Sequence, residues 1–271
     1  MRIEENRSDE KVKVSNESKR KRRKKKMLPV QKLYKTCKEV FASCGPDIVP
    51  SPEKIQTLAA VLDKMTQADV GLMPDMPFFD SKQAPIITYL HLHECDKFSI
   101  GIFCLPPLSV IPLHNHPQMT VFSKLLFGTM HIKSYDWVAT TDEGDVVPDD
   151  VAPVANPSNS YPDGLRLAKL KVNSEFTAPC SPSILYPTDG GNMHCFTAKT
   201  ACAVLDVLGP PYCDAEGRHC QYYFDHPLAN FPVDGVPVPE EEKDGYAWLQ
   251  EREKPEDLVL LAAPYNGPKI I

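Results

Sequence analysis

From Ile86 onward the chain breaks into short apolar stretches, β-branched or aromatic, each closed within a few residues by Pro, Gly, Asp or Asn. They read IITYLHL, KFSIGIFCL, MTVFSKLLFG, TMHIKSYDWV, LRLAKLKVN, SILYP, MHCFTA, ACAVLDVLG and QYYFDH. So many short strands without intervening helices predict an antiparallel sandwich or small barrel. Helical periodicity is confined to the region ahead of them. LPVQKLYKTCKEVFASC (28–44) spaces Leu33, Val40 and Phe41 between Lys and Glu, and a second helix is announced by Ser51-Pro52-Glu53, with Ser as cap and Pro at the first helical position, running to about Met65. One Pro- and Asp-rich connection, residues 139–164, is long enough to be either functional or mobile. The Pro-rich end, VDGVPVPEEEKDG followed by a short helix near Tyr246 to Arg252, is expected as a surface wrap.

At 271 residues and 42% hydrophobic content the chain can bury a full core. No apolar run approaches the ~20 residues of a membrane span, and the N-terminus lacks a signal peptide's apolar centre, so neither membrane association nor export is expected. Nine cysteines at irregular spacings, without a CxxC pair, read as reduced thiols. The net charge of −6 hides an asymmetry: residues 1–26 hold 12 Lys/Arg against 5 Asp/Glu, leaving 18 basic and 31 acidic residues for the rest. An acidic body argues against direct nucleic-acid binding and suits a partner with basic segments. Residues 1–27 are therefore expected to be a disordered tail, since almost nothing in them can be buried. The run of basic residues from Lys19 to Lys26 reads as a nuclear-localisation patch, giving a nuclear and cytoplasmic distribution, although a merely solvated charge run is the plainer alternative.

The chemistry concentrates on histidines. In IPLHNHPQM, His114 and His116 are two residues apart, which on a strand places both imidazoles on one side and suits a metal. Taken alone such a pair is as often an ordinary polar face, and His91-Leu92-His93 supplies an internal control, an identical spacing with no ligand-like cluster after it. Downstream of His116 come an apolar strand, Gly128, and then PTDGGNMH, which sets a glycine pair three and four residues before His194.

These two motifs resemble the cupin superfamily signature. That resemblance implies a mainly β fold, a double-stranded β-helix or jelly-roll-like barrel spanning 28–271, with N-terminal helices (about 28–66) packed outside and the three histidines gathered on one metal. The match is partial, because Ala198 stands where many cupins have Asn, and Thr120 and Val121 stand where the usual carboxylate ligand would be. Three neutral imidazoles leave iron(II) its full charge and room for both a thiolate and dioxygen, as in thiol dioxygenases, which make sulfinic acids. HNHPQMTVFSKLLFGTMHIKSYDW, PTDGGNMHCFTA, AVLDVLGPPY and RHCQYYFDHP together resemble the plant cysteine oxidases, relatives of 2-aminoethanethiol dioxygenase. The resemblance implies an Fe(2+)-dependent enzyme that oxidises the N-terminal cysteine of proteins such as group VII ethylene-response factors, and so senses oxygen through the N-degron pathway; a monomer is expected. It matches Asp206, Tyr212 and Cys220 to active-site positions, with no Tyr–Cys crosslink expected. Without the resemblance, Asp206 within CAVLDVLG reads equally as a structural acid and Tyr212 as a core or rim tyrosine. Two other functions compete, a dioxygenase of free cysteine or a small aminothiol, and a non-enzymatic nuclear metal-binding cupin acting as a transcription cofactor.

Overall fold

The computed structural model describes residues 27–80, 86–138, 164–230, 238 and 240–271; the basic tail and nearly all of the 139–164 connection lie outside them. Two helices come first, α1 (Pro29–Val40) and α2 (Pro52–Leu62). Ser51 occupies the N-cap of α2 as expected, but its side chain makes no capping hydrogen bond to the helix backbone. Twelve strands follow: β1 (Ile87–Cys95), β2 (Phe98–Leu105), β3 (Val110–His114), β4 (Thr120–Phe127), β5 (Thr129–Trp137), β6 (Leu165–Thr177), β7 (Ser183–Leu185), β8 (Met193–Ala198), β9 (Cys202–Gly209), β10 (Tyr222–Pro227), β11 (Tyr246–Arg252) and β12 (Leu260–Ala263).

They form a six-stranded sheet in the order β12-β1-β2-β9-β4-β7 and a closed ring in the order β10-β11-β6-β5-β8-β3. All the sheet's pairings are antiparallel except β1 with β12. This is the expected mainly β, jelly-roll-like architecture with helices outside. Period-two alternation divides the sheet's side chains between two cores. Ile100, Ile102 and Cys104 of β2, Phe122 of β4, and Leu205 and Val207 of β9 pack against Leu33, Cys37, Phe41, Leu58 and Leu62 of the helical layer. The alternate residues Leu105, Leu125 and Val204 face the ring and meet Ile111, Met130 and Phe196. Because β2, β4 and β9 are covered on both sides, they read in the sequence as mostly apolar runs, broken by Ser99 in β2, by Thr120, Ser123 and Lys124 in β4 and by Asp206 in β9.

One expectation fails. Residues 246–252 are not a short surface helix but strand β11, paired with both β10 and β6. The segment YAWLQER alternates: Ala247 and Leu249 enter the ring's core while Trp248, fully buried, faces the opposite way. Two flanking strands supply the backbone partners that override its helix-tolerant composition. All nine cysteines are free thiols, as expected. Among the described residues no helix is long and apolar enough to cross a membrane.

Candidate metal centre

His114 closes β3 and His194 lies directly opposite it on β8. Between Ile111 and His114, β3 carries one residue more than its partner, a bulge that re-aims the strand's last side chain. Pro112 sits in that bulge, and its carbonyl accepts a hydrogen bond from His114 Nδ1 at 2.8 Å. His116 is not on a strand, so the shared face of an extended His-x-His is not what aligns the pair. The chain has left β3 by Asn115, and His116 is brought round by the turn that follows, where Gln118 adopts φ +61°.

The three imidazoles nonetheless converge: one ligand nitrogen from each lies within 4.8 Å of the others, and His116 Nε2 is 3.2 Å from His194 Nε2. All three are buried, and burial lowers their pKa values, those of His116 and His194 well below the ordinary value. They are therefore neutral at physiological pH, the state in which imidazole binds a metal. The Tyr212 hydroxyl donates to the Asn115 carbonyl at 2.7 Å, which leaves its oxygen to accept from His116 Nδ1 at 2.9 Å. That bond assigns the proton of His116 to Nδ1 and turns the Nε2 lone pair to the centre. The donor set fits a divalent transition metal. Among the described residues no carboxylate joins it. Val121, at one of the two positions where a carboxylate would be sought, packs instead with Met119, Leu185, Leu208 and Tyr212 as an apolar wall. The control pair plays no part: His93 packs edge-on against Tyr34 and His91 lies near Glu94.

A clasp the sequence did not reveal holds the two motifs together. Asn192 Oδ1 accepts from the His116 amide at 3.0 Å, while its Nδ2 donates to the carbonyls of His116 at 2.9 Å and Tyr186 at 2.8 Å. Asn192 is in turn fixed by Asp136 of β5, whose carboxylate accepts from the amides of Gly191 and Asn192 at 2.9–3.1 Å. Gly190 and Gly191 both have φ above +80°, and a Cβ on Gly191 would collide with the Ser134 side chain. The glycine pair was the visible signal; what it serves is this turn.

Asp206 is 3% exposed and lies on the ring-facing side of β9, the side to which His194 and Phe196 are also turned, stacked 4.3 Å apart. Ser123 Oγ donates to its Oδ1 at 2.5 Å. Burial pushes the carboxyl up to about 7, with Ser123 acting in the opposite direction. Gly101, its cross-strand neighbour, has no side chain because the Tyr89 ring occupies that space, and the Tyr89 phenol is pushed up to about 12 by its own burial and by Asp206. Cys220 lies within reach of the Tyr212 and Tyr222 hydroxyls; burial raises its thiol while both hydroxyls pull the other way. Of these neighbours, the sequence singled out Asp206, Tyr212 and Cys220 and missed Ser123, Tyr89, Asn192, Asp136 and Tyr222.

Comparison with known proteins gives the geometry relatives. The family model PCO_ADO matches residues 61–270. Plant cysteine oxidase 2 of Arabidopsis thaliana is 59% identical over 99% of this chain and 91% of its own length. Plant cysteine oxidase 1 of the same plant is 59% identical over 89% and 80%. The 2-aminoethanethiol dioxygenase of Mus musculus is 30% identical over 81% of this chain and 86% of its own.

Two outcomes follow from the geometry. Asn192→Ala leaves a buried amide and two carbonyls without their partner, and metal affinity, measured by competition with a chelator, should fall about 10–100-fold; unchanged affinity would mean that the clasp does not position His116. Asp206 titrates near 7 folded against about 3.9 unfolded, so between those values the folded state binds the extra proton. Metal-free protein should accordingly lose stability as pH rises from about 4 to about 7, with no further loss from this group above. Asp206→Asn should flatten that dependence in thermal melts, and parallel curves for the two proteins would assign it to another group.

Proposed function

The chain belongs to the PCO_ADO family of thiol dioxygenases, and on that premise we propose that it is an iron(II)-dependent enzyme that oxidises the N-terminal cysteine of target proteins to cysteine sulfinic acid. The observation that carries this reading is the buried group of three neutral imidazoles with no carboxylate among them. His114, His116 and His194 would hold iron(II) without neutralising its double positive charge, and the bound ion would supply a position for an anionic thiolate and the electrons that activate dioxygen. Both oxygen atoms enter the thiol, so no external reductant is needed.

The surrounding residues divide the remaining tasks. Tyr212 and Asn192 fix the ring and backbone of His116. Asp206, once ionised, offers a carboxylate to the α-ammonium of an N-terminal cysteine, held in place by Ser123. Met119, Val121 and Leu208 keep water from that side. A free cysteine would also bring a carboxylate, and among the described residues no Lys or Arg is hydrogen-bonded or ion-paired to the histidines, Tyr212 or Asp206. Arg218, buried close by in sequence, is engaged with Glu216 and the Pro211 carbonyl. A peptide-linked cysteine carries no such charge. The acidic body suits substrates with a cationic N-terminal segment, such as group VII ethylene-response factors, whose oxidation would couple oxygen supply to degradation through the N-degron pathway. The run from Lys19 to Lys26 supports residence in the nucleus as well as the cytoplasm.

Iron-loaded protein should consume oxygen with a short Cys-initiated peptide and add two oxygen atoms to it by mass spectrometry, while the N-acetylated peptide should be inert. Faster turnover of free cysteine than of the peptide would overturn the protein-substrate reading, and no oxygen uptake with either would overturn the enzyme itself. Deleting residues 1–26 should lower the nuclear fraction of a fluorescent fusion and leave peptide turnover unchanged. A deletion that is as nuclear as the full chain would remove the basic run as the address.

A further inference from the structure

The inside of the ring of strands is a space separate from the metal centre. Leu113 and Cys195, neighbours in sequence of His114 and His194, face into it with Tyr135 and Tyr223, while the histidines are turned the other way. One part of it is a cavity of about 520 Å³, within the range of about 300–1,000 Å³ common for small-molecule sites. Lys133 donates to Asp225 at 2.5 Å and the Tyr135 hydroxyl donates to the same oxygen at 2.9 Å. This cluster is satisfied internally and shapes the cavity without needing a ligand.

The rim is different. Leu108, Val110, Phe224 and Val259 all line this cavity and are 76%, 42%, 44% and 44% exposed. Single exposed apolar residues are ordinary, but four gathered on one cavity form a patch of the kind that marks a binding surface. Leu108 also adopts φ +68°, a left-handed conformation unfavourable for a residue with a Cβ. Against the Phe224 ring lies the Arg252 guanidinium, 4.1 Å from its centroid, and among the described residues no carboxylate is paired with it.

We propose that this cavity is a second binding site, which receives the apolar body of an aliphatic monocarboxylate and sets its carboxylate on Arg252. The apolar rim and walls suit a hydrocarbon chain. The planar guanidinium fork, held flat by Phe224, matches a carboxylate. Asp257 in the same lining disfavours a doubly charged head such as a phosphate ester. The site goes beyond the oxidation chemistry and does not depend on it.

Calorimetric titration of the iron-loaded full chain with decanoate tests this. Saturable one-to-one binding is expected, with decanol at least tenfold weaker. Arg252→Gln should weaken decanoate at least tenfold and leave decanol as it was, while Val110→Trp, which fills the rim, should weaken both. Neither residue touches the metal centre, so unchanged iron content certifies that each variant is folded. The proposal is overturned by the absence of saturable decanoate binding, by Arg252→Gln binding decanoate as the parent does, by binding that survives Val110→Trp, or by decyl phosphate binding more tightly than decanoate.

Discussion

Two nitrogen lone pairs facing each other in a buried space repel unless a positive charge lies between them. His116 and His194 are held in that relation at 3.2 Å, and burial denies both rings the proton that would relieve it. The surrounding framework exists to maintain this arrangement. The β3 bulge aims His114, Tyr212 fixes the tautomer of His116, and a chain of hydrogen bonds from Asp136 through the amides of residues 191 and 192 to the Asn192 side chain fixes its backbone. None of these interactions involves the metal, so the framework presents it with a preformed site.

The layering explains how such a site comes to be buried. The helices cover one face of the six-stranded sheet and the ring covers the other, so β2, β4 and β9 have no solvent-facing side. A carboxylate placed there has little to compensate it, and for Asp206 the compensation is one serine hydroxyl. The same burial that makes the acid costly to ionise leaves its charge poorly screened once formed, so an ammonium brought beside it would be held more firmly than at a surface.

Much of this was legible in the sequence because it depends on local pattern. Short β-branched runs punctuated by Pro and Gly gave the fold class, and the convergence of His114, His116 and His194 was implied by the resemblance of two local motifs to the cupin signature. What escaped depends on contacts between distant segments. Asn192 lies 76 residues from His116, and Asp136 lies 56 from Asn192; neither residue type marks itself as a clasp. His116 sits beyond the strand that was expected to carry it, because a turn reaches the same place by another path. Tyr246 to Arg252 was misread as helical since its strand character comes from pairing with β10 and β6, partners that a local reading does not see.

The parallel pairing of β12 with β1 sets an order on biosynthesis. Ile87 to Leu90 must wait for Leu260 to Ala263, so the outer edge of β1 stays bare while every strand of the ring is being made. A nascent chain thus carries an open row of amide and carbonyl groups beside apolar side chains during most of its translation, a template for mispairing between neighbouring chains on one polysome.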